Sequence, residues 1–276
     1  MNCHLALCAV HTHFIWVGYT VHVKAKRRQM NEVQGSVATK IAHIREATYN
    51  PELTLPSATA LYLASKRLLD LVLAAVLLVL LAPVMAIIAL AIRLDSPGPV
   101  IFKQKRVLGD QPADEEHPED KVFEFWKFRS MTHNADQTAH QQHMAQLIHG
   151  NGVHGPALKM HKLAHDRRVT RVGRFIRKTS LDELPQLINI LRGEMSFVGP
   201  RPAIPYEVAE YKPWHRARLQ VAQGLTGLWQ VKGRNDLSFN EMVQLDIEYA
   251  QQRSFWLDIK IILMTVPAVV IARSVR

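Results

Sequence analysis

The block from Leu68 to Leu94 constrains this chain more than any other stretch. It is almost wholly aliphatic, broken only by Asp70 near its start and Pro83 near its middle. A straight helix of that length would run roughly 40 Å, against about 30 Å for the hydrocarbon core of a bilayer. Lys66 and Arg67 precede the block and Arg93 closes it, so the positive-inside bias draws both ends to the cytoplasmic side. Pro83 removes an intrahelical hydrogen bond and favours a kink. Together these features predict a helix-break-helix that enters and leaves by one membrane face. Lys66, Arg67, Asp70 and Pro83 define it. A kinked helix that crosses is the competing reading.

A second stretch, Thr179-Ser180-Leu181-Asp182-Glu183-Leu184-Pro185, places two adjacent carboxylates before a short amphipathic run. Leu184, Leu187, Ile188 and Leu191 have the spacing of a helix face, and Gly193 is placed to stop that helix. Arg167, Arg168, Arg171, Arg174, Arg177 and Lys178 lie before the pair, with Arg192 and Arg201 after it. Two acids ringed by cations suit a reaction on a phosphate. The structural alternative is a capping box, in which Ser180 caps the helix and Glu183 reaches back to it.

The remaining chain supplies candidate partners for that pair. The net charge of +10 points to anionic partners: phosphate-bearing substrates, an acidic leaflet or nucleic acid. The two cysteines, Cys3 and Cys8, make neither a disulfide framework nor a zinc quartet. Val100–Val107 and Lys121–Arg129 read as strands flanking an acidic loop. In the second, Lys127 and Arg129 fall on one face and Trp126 and Phe128 on the other. The histidines between His133 and His165 include helical pairs, His140 with His143 and His161 with His165, but no ligand set for zinc is complete. Ser196-Phe197-Val198-Gly199-Pro200-Arg201-Pro202 holds Arg201 between two prolines, a preset guanidinium suited to phosphate. In Gly224–Asn235, Trp229 offers a ring to stack on a base and Arg234 a charge. Phe239–Gln251 reads as a helix. Phe255–Ala272 reads as an apolar helix lying in the membrane interface. The first 29 residues carry no functional signal, and Met30 is a candidate true start.

The motifs in order resemble the bacterial sugar transferases, the monotopic phosphoglycosyl transferases that act on undecaprenyl phosphate. The likeness rests on Lys66-Arg67-x-x-Asp70 leading into the Pro-broken apolar block, then Lys127-Phe128-Arg129-Ser130-Met131 and Thr170-Arg171-Val172-Gly173-Arg174. It continues through Ser180-Leu181-Asp182-Glu183-Leu184-Pro185-Gln186, Phe197–Pro202 and Gly224-Leu225-Thr226-Gly227-Leu228-Trp229-Gln230-Val231. It runs from about Ala64 to Arg276. The departures are Ala82-Pro83, where relatives often have Ser-Pro, and Gln223, where they usually have Pro. The second change predicts a less rigid loop.

The resemblance implies a mainly α fold with a small β element (α+β). It divides the chain into an N-terminal extension and linker (1–63), a re-entrant membrane hairpin (64–97) and a cytosolic catalytic domain with a membrane-associated C-terminal helix (98–276). It implies transfer of a sugar-1-phosphate from a UDP-sugar to a polyprenyl phosphate, with Mg²⁺, at the cytoplasmic face of a bacterial inner membrane. In that scheme Asp182 is the nucleophile and Glu183 helps hold Mg²⁺. Lys127, Arg129, Arg174, Arg177 and Arg201 form the phosphate clamp, and Trp229 and Arg234 contact the donor. Inner-membrane phospholipid is an expected partner, nucleic acid is not, and a homodimer is left open. The alternative from another class is a basic, membrane-tethered adaptor that binds nucleic acid or anionic lipid.

Overall fold

The computed structural model describes residues 55–110, 121–134, 138–149, 166, 168–233 and 237–271. The N-terminal extension before residue 55, the acidic loop, His161, His165 and Arg234 lie outside the described residues.

The apolar block forms one helix, α1 (Ala60–Asp95), with Thr59 as its N-cap accepting the Tyr62 N–H. It is long and apolar enough to cross a membrane. No non-helical break separates two helices at Ala82-Pro83: the backbone is helical on both sides of Pro83 and through it, so any turn of direction there is made within the helix. Proline withholds a single N–H, whereas unwinding would strand several backbone groups among aliphatic side chains. Val72, Val76, Val79, Leu80, Ile87, Leu90 and Leu94 point outward, while Ala74, Ile88 and Ile92 are buried against the rest of the chain.

Beyond α1 the described residues fold as a mainly helical domain with two small sheets. β1 (Ile101–Val107) pairs antiparallel with β2 (Val122–Phe128), close to the strands read from the sequence. Next come α2 (Thr138–His149), α3 (Arg171–Thr179), a 3-10 turn (Leu181–Glu183) and α4 (Gln186–Arg192). β3 (Ser196–Val198) runs parallel to β4 (Gly224–Thr226), with α5 (Pro205–Ala209) and a 3-10 segment (Pro213–Leu219) between them. The described residues close with α6 (Leu228–Lys232), α7 (Phe239–Gln252) and α8 (Phe255–Ile271).

Both ends of α1 are bound to this one domain. At its start Lys66 donates to Asp258 Oδ2 of α8 at 2.9 Å and to the Val198 carbonyl at 2.9 Å. Asp70 accepts from the Phe197 N–H at 2.9 Å and the Ser196 hydroxyl at 3.1 Å. At its far end Arg129 donates to the Ser96 carbonyl at 2.6 Å and also meets the Ile92 carbonyl, closing the helix C-terminus. Between them, Leu73, Ala74, Leu77 and Leu78 join a core with Leu187, Ile190, Phe197 and Ile261, and Ile88 and Ile92 join Phe128 and Ile176.

The Lys66–Asp258 pair is nearly dry, its side chains 9% and 0% exposed. Removing one partner leaves the other charge buried alone, a loss of about 3–5 kcal/mol. Asp258→Ala should therefore lower the melting temperature by roughly 10 °C, at about 2–4 °C per kcal/mol for a domain of this size. A thermal scan within 2 °C of wild type would refute that.

α8 continues the outward apolar surface through Trp256, Leu263 and Val266, and Phe175 adds to it from α3.

Candidate active site

The two carboxylates sit on the 3-10 turn between α3 and α4. α3 opens on Thr170, whose hydroxyl accepts the Gly173 N–H at 2.9 Å. Gly173 is required there, since a Cβ would collide with the Ser130 backbone on which the first turn rests. The helix ends at Ser180, which takes a left-handed conformation at φ 58° and returns its N–H to the Arg177 carbonyl. The capping box is therefore not formed: Ser180 makes no side-chain cap, because it closes the preceding helix instead of opening the next one. α4 starts after Pro185 and stops at Gly193, φ 83°, as its sequence predicts. Its most buried residues are Gln186, Leu187, Asn189 and Ile190, so the buried face is rotated from the leucine stripe read in the sequence. Asn189 accounts for part of the rotation, exchanging hydrogen bonds with the backbone of β2 at Trp126 N–H and the Glu124 carbonyl.

Asp182 is 8% exposed, and among the described residues its carboxylate accepts no hydrogen bond. Glu183 is the opposite. Its Oε1 takes Lys127 Nζ at 3.2 Å and Arg201 Nη2 at 3.1 Å. Burial would raise the Glu183 carboxyl, but Lys127 and Arg201 outweigh it and hold the pKa at about 2. Burial pushes Asp182 above its ordinary range; Lys127 pulls it back, Glu183 adds to the rise, and Arg177 and Arg201 oppose it. One acid is locked as a carboxylate, and its neighbour is held near cations but bonded to none.

Arg201 reaches Glu183 because its loop is braced from several sides. The Gly199 and Gly224 backbones touch so closely that a Cβ on either would strike the other strand. Arg106 of β1 donates to the Pro202 carbonyl at 2.6 Å, and Arg218 donates to the Arg201 carbonyl at 3.3 Å. Arg218 is itself paired with Asp246 of α7 at 2.7 Å. Gln223, expected to leave the adjoining loop less rigid, is built into it. It is 1% exposed, and its Nε2 donates to the Arg218 and Val221 carbonyls.

Arg106 is the participant that sequence reasoning missed. It lies near enough to Lys127 and Arg201 for their charges to oppose its own, and burial lowers its pKa to about 10. Only its place on the buried face of β1 could have pointed to it. Lys127, Arg106, Arg177 and Arg201 outnumber the carboxylates of Asp182, Glu183 and nearby Glu207, so the site carries an excess of positive charge suited to a phosphate-bearing ligand.

Other expected site residues are placed differently. Arg129 does not share a site with Lys127; it is buried on the end of α1 and bonds carbonyls there. Trp229 is 3% exposed in a core with Ala203, Val208, Phe239 and Met242, so it presents no open ring face for a base. Arg174 is exposed on α3, one turn before Arg177. Two surface cavities, one beside Tyr62 and Arg253 and one along α8, lie away from Asp182.

The donor set fits Mg²⁺ in one particular way. No cluster of three or more His, Cys, Asp or Glu side chains is present among the described residues, so a cage built from protein alone is not available. Two adjacent carboxylates, with Glu183 Oε2 left unbonded, match the habit of this ion of using one or two carboxylates together with substrate phosphates.

If Asp182 reacts as a carboxylate, its raised pKa sets the acid limb of the pH profile. Protonation below that pKa removes the reactive form, while Glu183 stays ionised until about pH 2. Activity measured as kcat/KM should fall on acidification with an apparent pKa above the ordinary aspartate value of about 4. A profile flat down to pH 4 would contradict the assignment.

Fold and site define a class: a helical domain bearing an acid pair inside a cationic clamp, braced by a helix fit for a membrane. The chain belongs to the bacterial sugar transferase family, whose family model matches residues 61–272. The UDP-glucose:undecaprenyl-phosphate glucose-1-phosphate transferase of Caulobacter vibrioides is 41% identical over 212 residues, 74% of this chain and 68% of that protein. Galactosyl transferase CpsE of Streptococcus agalactiae serotype III is 40% identical over 216 residues, 78% of this chain. The chain spans 44% of the length of that streptococcal relative. Exopolysaccharide production protein ExoY of Sinorhizobium fredii is 36% identical over 211 residues, 76% of this chain and 87% of its own. The adaptor alternative gains no support, since the central cations are turned onto carboxylates and carbonyls inside the domain.

Proposed function

We propose that this chain transfers a hexose-1-phosphate from a UDP-sugar to undecaprenyl phosphate, releasing UMP. The observation that carries the reading is the contrast between Asp182, unbonded and nearly buried, and Glu183, locked beside it by Lys127 and Arg201. Relatives named for this reaction with glucose and galactose support it.

In the first step an Asp182 carboxylate oxygen attacks the β-phosphorus of the donor. The bond from that phosphorus to the bridging oxygen breaks, UMP leaves with the electron pair, and the sugar phosphate remains on the carboxylate. In the second step a phosphate oxygen of undecaprenyl phosphate attacks the same phosphorus and frees Asp182. Lys127, Arg201 and Arg106 offset charge on the transferring group, with Arg177 on the Asp182 side. Glu183 would hold Mg²⁺ together with donor phosphate oxygens; when bound, the ion adds further neutralisation of the diphosphate.

Support for the membrane reading comes from the binding of α1 at both ends. A helix of that length fully crossing the bilayer would carry one end away from the domain, yet Lys66 and Arg129 tie both ends to it. We therefore place α1 as dipping into one leaflet and returning, with α8 at the same interface and phospholipid around both. The acceptor lipid then meets a water-soluble donor at one surface, on the cytoplasmic face of the inner membrane, in the assembly of an exopolysaccharide or related glycan.

The test is a panel of UDP-sugars, including UDP-glucose and UDP-galactose, offered to the purified protein with undecaprenyl phosphate and Mg²⁺. UMP release with at least one donor, dependent on the lipid for repeated turnover, is the expected result. No UMP release across the panel would overturn the reading.

A further inference from the structure

The segment that carries Asp182 consists of α3, the 3-10 turn and α4, and α1 holds it at both outer ends and from beneath. At the α3 end, Asp95 Oδ2 accepts the Val172 N–H at 3.1 Å, one of the donors that a first helical turn leaves free. At the α4 end, Arg67 donates to the Ile190 carbonyl at 2.6 Å, which also accepts the Gly193 N–H, and to the Leu191 carbonyl at 2.8 Å, both in the last turn. Between these points Leu181 and Leu184, which bracket the acid pair, pack against the apolar cluster that Ile88 and Ile92 of α1 form with Phe128 and Ile176.

The turn is held by few backbone bonds of its own. Its backbone bonds, Glu183 N–H to Ser180 and Leu184 N–H to Leu181, are both 3.3 Å, beyond the usual range for such bonds. Ser180 stands in the left-handed region, which a non-glycine residue adopts at a cost. Placement of Asp182 is therefore shared between Lys127 and Arg201, which hold Glu183 within the turn, and what grips the segment outside it. Arg67 and Asp95 lie on opposite sides of Pro83, so the span between the two grips depends on the shape of α1. Arg129 stabilises one of them by bonding the Ser96 carbonyl and hydroxyl next to Asp95.

We infer that Arg67 and Asp95 are positioning residues, a pair of clasps through which the shape of the membrane helix sets the aim of Asp182. The inference rests on the reading of Asp182 as nucleophile. A misplacement of about 1 Å at a reacting atom can cost 10²-fold in rate. Because the clasps do not touch the donor, their loss should appear in kcat and leave binding nearly unchanged.

The experiment uses the full chain in lipid nanodiscs with UDP-glucose or UDP-galactose, whichever the donor panel favours, and follows hydrogen exchange in parallel. Asp95→Ala and Arg67→Gln should each lower kcat by roughly 10- to 100-fold. KM for the sugar nucleotide should stay within about twofold of wild type, on the same argument that the clasps do not touch the donor. Asp95→Asn, which retains an acceptor for the Val172 N–H, should recover most of the rate. Amides of residues 180–187 should exchange faster in the first two variants while those of β1 and β2 do not change. Wild-type kcat in both variants, or faster exchange spread evenly over the domain, would overturn the inference. The exchange measurement needs no turnover, so it reads the clasps even if Asp182→Asn proves active and the nucleophile assignment fails.

Discussion

Asp182→Asn should abolish UMP release, with a loss of at least about 10³-fold, because the amide cannot form the covalent phosphosugar linkage. The substitution should leave the fold intact. Burial already disfavours the charged carboxyl, whose pKa is raised. A group raised in the folded state contributes stability below its unfolded pKa and loses it as pH rises through the folded value. At neutral pH the ionised Asp182 is therefore a net cost, and a neutral isostere should melt at or above the wild-type temperature. Single-turnover experiments with radiolabelled UDP-sugar should also show label retained on the wild-type protein and none on the variant. Full activity in Asp182→Asn would remove the chemical core of the proposal.

Arg201→Ala should produce the second-largest loss, about 10²- to 10³-fold in kcat/KM, the scale of removing one preorganised group from a developing phosphoryl charge. Glu183 would keep Lys127 as a partner, so its ionisation should persist, whereas the acid limb set by Asp182 should move to higher pH because one of the cations opposing its raised pKa is gone. Arg201→Lys should recover only part of the rate. Its ammonium can approach one oxygen but lacks the planar fork that a guanidinium offers to a phosphate. A loss below about threefold in Arg201→Ala would show that the loop built from Gly199, Gly224, Arg106 and Arg218 serves the fold alone.

Much of the architecture was legible in the chain. The long apolar block, the two strands around the acidic loop, the α4 stop at Gly193 and the helix Phe239–Gln252 all follow from periodicity and from glycine and proline chemistry. The acid pair and its cations stood out for a similar reason, because carboxylates and arginines are seldom so concentrated without a shared partner. The capping-box alternative at Ser180 could not be dismissed from sequence, because a capping box and a left-handed helix end use the same residue type. Only the path of the chain separates them. Pro83 does not take the chain out of the helix, because backbone groups in an apolar setting stay paired when they can.

Sequence alone determined which charges this protein has to accommodate, and that one segment is too apolar for water. Those are properties of the side chains and survive any fold. Tertiary structure decided which cation faces which acid. It sent Lys127 and Arg201 to Glu183, Arg129 to the end of α1 and Trp229 into the core, and it brought in Arg106 from a strand that gave no warning. The physical reason is that arginine and tryptophan satisfy carbonyls and fill cores as readily as they bind substrates. Their use depends on neighbours distant in the chain, which local pattern does not encode.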